Sequence, residues 1–209
     1  MSEKSWLDIS QPLTNDIAVW PGDIPFNFEL GFTKEQTESV NIGQIKVGVH
    51  TGTHGDAPFH FNDEGKTIDE IDINVYIGKA KVIDVAGFPL IDQYVLEKME
   101  LNNVERILFK TNPNRDPKTF PDTFTVFDPS AAKYLKKLGV VLIGTDAPSV
   151  DPEHSKSLKA HHAFHENDIF ILENLLLNEV QPGDYELIAL PLKIVGADGS
   201  PVRAVIRPI

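Results

Sequence analysis

The sequence predicts a mixed α/β domain that is richer in strand than in helix. Two observations carry that reading. Short apolar runs, each bounded by Gly, Pro or Asp, recur along the chain, and helix-like segments are few. Fifteen prolines and fourteen glycines also specify many turns.

The elements follow in order. Between residues 43 and 50, Ile45, Val47 and Val49 share one face, while Gln44, Lys46, Gly48 and His50 share the other. That two-residue period predicts a half-buried strand ending at His50. Ala80–Val85, Arg106–Thr111 and Val140–Gly144 suit interior strands, and Ile169–Leu172 and Glu186–Leu190 are similar. Ile91–Met99 reads as a helix. Asp128, Pro129 and Ser130 cap a second over Ala131–Leu138, closed by Gly139. Ser155–Glu166 is a third. No repeat or linker interrupts the 209 residues, so residues 1–209 are expected to form a single domain around one core.

Composition narrows the partners. The net charge is −12, with no long basic run to offset it, which disfavours nucleic acid and anionic membrane. There is no cysteine, which excludes thiolate nucleophiles, cysteine-ligated zinc and disulfides. The first residues, Met1 to Asp8, have no apolar leader core, and no run approaches the ~20 residues that span a bilayer. A soluble cytoplasmic protein is the expectation. No phosphate loop, dinucleotide fingerprint or Gly-x-Ser-x-Gly elbow is present.

The histidines are the most informative residues. Three of the seven lie within residues 50–60, and the other four within residues 154–165. The first group sits in the stretch His50-Thr-Gly-Thr-His54-Gly-Asp56-Ala-Pro-Phe-His60. His54 and Asp56 are two apart, so in extended backbone they project to one side. Imidazole and carboxylate suit zinc or manganese, and a set of two His and one Asp leaves positions open for catalysis. The second group is His154, His161, His162 and His165, followed by Glu173 within an apolar run. A buried unpaired carboxylate is very unfavourable, so Glu173 is paired, protonated, on a metal or turned to solvent. The histidines around it fit either one helical face directed at a site or a solvated helix. Trp20, beside the turn Pro21-Gly22-Asp23, is core or a wall for a flat ligand. Asp146 supports the ligands or starts a turn. Arg203 and Arg207 meet a substrate carboxylate or, more simply, pair at the surface.

The stretch from His50 to Phe61 resembles the signature of the metal-dependent cyclase-like hydrolases. Trp6–Leu13, Val19–Asp23, Gly144–Pro152, Ile171–Asn174, Tyr185–Leu192 and Asp198–Ala204 are similar to the family's branch that acts on formylated kynurenine. The resemblance implies a swivelling β/β/α fold and a homodimer. It implies two metal ions per subunit, usually Zn(2+), with Mn(2+) an alternative. His50, His54 and Asp56 match the ligands of one ion. Asp56 then bridges to a second ion held also by His161 and Glu173, where residue types alone leave His161 and His162 equivalent. His60 matches the general acid/base and Trp20 a substrate-contacting aromatic. The implied reaction is hydrolysis of N-formyl-L-kynurenine to L-kynurenine and formate in tryptophan breakdown. A sister hydrolase opening a ring amide such as isatin, and a metal-binding protein without catalysis, are the competing readings.

Overall fold

The computed structural model describes residues 5–209. The reading of a leaderless N-terminus rests partly on Met1–Lys4, which lie outside the described residues. The strands are β1 (Leu7–Asp8), β2 (Asn27–Phe32), β3 (Ile42–Lys46), β4 (His54–Asp56), β5 (Ile77–Asp84), β6 (Leu90–Ile91) and β7 (Arg106–Lys110). They continue with β8 (Val126–Phe127), β9 (Leu142–Thr145), β10 (Phe170–Glu173), β11 (Gly183–Ile188), β12 (Gly199–Pro201) and β13 (Val205–Pro208). The helices are α1 (Lys34–Thr37), α2 (Gln93–Leu96), α3 (Pro129–Lys137) and α4 (Lys159–Glu166).

A nine-stranded sheet runs in the order β1-β13-β11-β5-β7-β9-β10-β4-β12. β5, β7, β9 and β10 are parallel neighbours, and the flanking strands join antiparallel. Parallel strands are covered on both faces, which is why their sequences read as continuous apolar runs. Successive residues divide between the faces. Ile83, Ile107, Phe109, Ile143 and Ile171 join one core with Leu96 of α2, Leu135 of α3 and Phe164 of α4. Val82, Leu108, Leu142 and Leu172 join a second core with Ile9, Tyr76 and Leu187, so the sheet carries a core on each face where one was expected. The fold is the strand-rich mixed α/β arrangement expected.

The capped helix forms as read. The Asp128 carboxylate accepts from the Ser130 N–H at 2.9 Å, Pro129 fills the first turn, and Gly139 leaves the helix with φ +83°. Three expectations need correction. The helix expected over Ile91–Met99 shrinks to Gln93–Leu96, because Ile91 is claimed by pairing with Phe127 in β8. The helix expected from Ser155 starts at Lys159, after Leu158 takes a left-handed φ of +40°. The strand expected over residues 43–50 ends at Lys46 and is exposed on both faces. Among the described residues it pairs only with β2, in a two-stranded ribbon separate from the main sheet, so alternation there reports no burial among them. Among the described residues, no helix is long and apolar enough to cross a membrane.

Leu172 is fully buried on β10, between β9 and β4. Leu172→Ala removes most of that side chain from a packed core, and urea unfolding is expected to show a loss of about 2–5 kcal/mol. A loss below about 1 kcal/mol would mean that this strand is not packed as described.

Candidate metal centre and active site

The site begins with strand register. β4 lies between β10 and β12, pairing His54 with Glu173 on one side and Asp56 with Gly199 on the other. Cross-strand neighbours share a face, so His54, Asp56 and Glu173 converge. His54 Nε2 lies 3.3 Å from Asp56 Oδ1 and 3.5 Å from Glu173 Oε2. All three side chains are at least 95% buried. Glu173 thus interrupts its apolar run by facing this cluster rather than solvent.

His161 arrives from α4. The Asp151 carboxylate accepts from the N–H groups of Ala160 and His161 and sits 2.8 Å from His161 Nδ1. That occupies Nδ1 and leaves Nε2 toward Asp56 Oδ2, at 3.5 Å, and Glu173 Oε1, at 3.6 Å. His54 is fixed in the same way: its Nδ1–H donates to the Gly52 carbonyl at 2.8 Å, leaving Nε2 for the cluster. Gly52 makes that turn with φ +65°, and a Cβ there would come within 2.8 Å of Leu13.

His50 is not on a strand but in the turn after β3. Its Nδ1 lies 3.0 Å from Asp56 Oδ1 and its Nε2 2.9 Å from Asp198 Oδ2. Asp198 also accepts from His60 Nδ1 at 3.3 Å, and the His60 ring stacks obliquely on His50 at 4.0 Å between centroids. The expected residues His50, His54, Asp56, His60, His161 and Glu173 therefore lie in one group. His154 is exposed, and His162 and His165 stay outside, on the side of α4 where they meet Phe61. Trp20 lines a cavity of about 290 Å³ that opens on His50, His54, His60, His161 and Glu173, and its ring meets Phe120 edge-on at 5.4 Å.

Sequence reasoning missed two carboxylates. Asp198 is 148 residues from its partner His50, and only the pairing of β12 with β4 brings it there. Asp151 precedes α4 by a loop, and its capping role has no short sequence signature. Other residues fall elsewhere. Asp146 is buried and accepts from the Thr111 and Asn112 N–H groups, outside the cavity lining. Arg203 pairs with Asp8 and Arg207 with Glu186, so neither reaches the site.

The electrostatics ask for cations. Burial alone would lower the pKa of His50, yet hydrogen bonds to Asp198 and Asp56 raise it to about 9. Burial opposes protonation of His54 too, but Asp56 and Glu173 carry it to about 10. For His161 the same opposition is overcome by Asp151 and Asp56, again to about 10. Burial pushes Asp56 upward, but His161, His50 and His54 hold its carboxyl well below the usual range. His60 differs: burial chiefly lowers its pKa, reinforced by the charges of His50 and His161.

Two buried atoms show what the residues fit. Among the described residues, His54 Nε2 and Asp56 Oδ2 have no hydrogen-bond partner of acceptable geometry, despite their short distances to neighbours. Natural structures rarely leave such atoms unsatisfied. Ligand atoms of His50, His54 and Asp56 lie within 4.8 Å of one another, as do those of Asp56, His161 and Glu173. Nitrogen and carboxylate donors in this number suit a divalent transition ion, and Asp56 belongs to both sets.

The fold and this cluster define a metal-dependent hydrolase class, and comparison with known proteins agrees. The chain belongs to the cyclase family ("Putative cyclase"), which matches residues 7–152. It is 52% identical to a kynurenine formamidase of Bacillus cytotoxicus over the full length of both chains. A solved structure described as a potential metal-dependent hydrolase with cyclase activity superposes with a TM-score of 0.84 at 26% identity, covering 98% of each chain. Isatin hydrolase A from Labrenzia aggregata, bound to benzyl benzoate, shares the fold with a TM-score of 0.80 at 22% identity, covering 98% of this chain and 93% of its own.

An ion needs neutral imidazole nitrogens, whereas His50, His54 and His161 hold protons at pH 7 before one binds. Metal uptake at pH 7 is therefore expected to release protons, and affinity to rise as pH climbs toward 9. Calorimetry in two buffers of different ionisation enthalpy measures the release. Binding without proton release would contradict this charge balance.

Proposed function

We propose that this chain hydrolyses N-formyl-L-kynurenine to L-kynurenine and formate, as a metal-dependent arylformamidase of tryptophan breakdown. The full-length relatives named for that activity are enzymes, which weighs against a purely structural metal protein. The observation that carries the reading is the cavity itself, in which a ring of imidazole and carboxylate groups faces the aromatic wall of Trp20 and Phe120. A flat aryl amide fits such a wall through edge and face contacts.

Two ions per subunit, zinc or manganese, are part of the proposal. His50, His54 and Asp56 would hold one, and Asp56, His161 and Glu173 the other. When bound, divalent ions supply Lewis acidity and bring the pKa of a water toward about 7. The remaining work belongs to side chains. The aniline nitrogen of the substrate is a poor anionic leaving group, so it needs a proton as its bond to the formyl carbon breaks. His60 holds Nδ1–H against Asp198, which directs Nε2 to exchange that proton. Burial chiefly lowers its pKa, which favours the neutral ring that can take a proton before passing it to the departing nitrogen. Asp198 links His60 to His50, so the acid/base group is held in register with the ligand set. Trp20 holds the aryl ring.

A homodimer, with each chain folded as one domain, belongs to the same proposal. The β2–β3 ribbon exposes Phe28, Leu30, Phe32, Ile42 and Ile45, an apolar area suited to burial against a second copy.

The direct test is formate release from N-formyl-L-kynurenine by metal-analysed protein, set beside isatin opening. Isatin turnover without formamide turnover would overturn the assignment. His161→Ala is expected to remove one ion and most activity, while His162→Ala is milder; equal losses would sink the ligand assignment. His60→Ala is expected to keep its metal while turnover falls on the order of 10²–10⁴. That loss should shrink for formamides with better leaving groups. Loss of metal from this variant would make His60 a ligand instead.

A further inference from the structure

The chain has four arginines, and three of them meet a carboxylate. Arg106 pairs with Glu105 at 2.9 Å, Arg203 with Asp8 and Arg207 with Glu186. Arg115 is the exception among the described residues. It is 6% exposed and lines the same cavity as the metal-ligand cluster. Its Nη1 donates to the carbonyls of Asp116 and Thr119 at 2.6 and 2.7 Å, and its Nη2 reaches Asn174 Oδ1 only at 3.5 Å. Its Nε–H has no partner among the described residues. Asp146 and Asp116 act on its charge only from beyond ion-pair distance. A buried cation with no carboxylate in contact is expensive, and an unmatched donor on it adds to that.

The surroundings hold this guanidinium in place. Asp146 pins the backbone at Thr111 and Asn112, just before the Arg115 loop. Asn178 Nδ2 donates to the Arg115 carbonyl at 2.9 Å. Asn174, which takes a left-handed φ of +55° directly after Glu173, turns its amide toward Arg115 and Gln11. Lys156, the other arginine or lysine among the described lining residues, is exposed. A fixed, dehydrated guanidinium with donors to spare is the group that recognises a carboxylate, through parallel N–H bonds.

We propose that Arg115 is a specificity residue that binds the carboxylate of the substrate's amino-acid tail, while the formamide lies at the His60 end of the cavity. This rests on the formamidase reading and adds the reason for preferring a carboxylate-bearing aryl formamide over a bare one. Arg115 does not touch the reacting atoms, and its effect is expected in KM rather than in kcat.

The test compares wild type, Arg115→Gln and Arg115→Lys on N-formyl-L-kynurenine and on N-formyl-2-aminoacetophenone, which keeps the ring and formamide but lacks the tail. Arg115→Gln is expected to raise KM for the first by about 10- to 100-fold, the scale of hydrogen bonds to a charged group, and to leave kcat/KM for the second within about threefold. Arg115→Lys should fall between. Equal losses on both substrates would show that Arg115 only braces its loop, and unchanged KM would remove it from binding; either overturns the proposal. Calorimetry with L-kynurenine and its methyl ester separates this claim from the formamidase reading. Tighter binding of the acid by wild type, lost in Arg115→Gln, supports the subsite even if formamide turnover is absent. Equal binding of acid and ester by wild type overturns it.

Discussion

The Asp56 carboxylate is sealed from water, with one oxygen lacking a partner of proper geometry among the described residues, in the midst of His50, His54 and His161. Much of the local structure follows from keeping that arrangement. A buried anion is tolerated only with positive charge close by, either protons on the imidazoles or metal ions. The raised histidine pKa values and the depressed one of Asp56 express the same demand from opposite sides. An apolar replacement would pack more easily at this point, so the polar centre is held for its chemistry rather than for stability.

Each imidazole is aimed by a group behind it. Gly52 O, Asp151 and Asp198 take the ring nitrogens that do not serve the cluster in His54, His161 and His50. Such partners fix ring orientation and raise basicity toward an ion. The anchors are on rigid backbone: Asp151 is tied to the start of α4, and Asp198 immediately precedes β12. A Cβ on Gly199 would come within 2.8 Å of the His50 ring, so this strand approaches the site as closely as a glycine allows.

What was legible in the sequence was local. Alternation placed His54 and Asp56 on one face because β4 is a true strand, and the apolar run around Glu173 marked a carboxylate with a reason to be buried. The interior strands were legible too, since parallel strands covered on both faces need apolar runs. Long-range pairing was hidden. Asp198 joins His50 only through the antiparallel pairing of β12 with β4, and Arg115, which no sequence pattern singled out, is marked only by its burial in the cavity wall without a carboxylate in contact. The strand read as half-buried over residues 43–50 misled for the opposite reason. Its alternation is real, but both faces of the ribbon are exposed among the described residues, with Ile45 60% exposed.

The central claim is that Asp56 is shared between two ions, and anomalous X-ray scattering from zinc-loaded crystals, measured across the zinc edge, tests it most directly. The account predicts two peaks, one bounded by His50, His54 and Asp56 and the other by Asp56, His161 and Glu173, each with ligand distances of about 2.0–2.2 Å. A single peak held by His50, His60 and Asp198, with Asp56 left to protonated histidines, would contradict it.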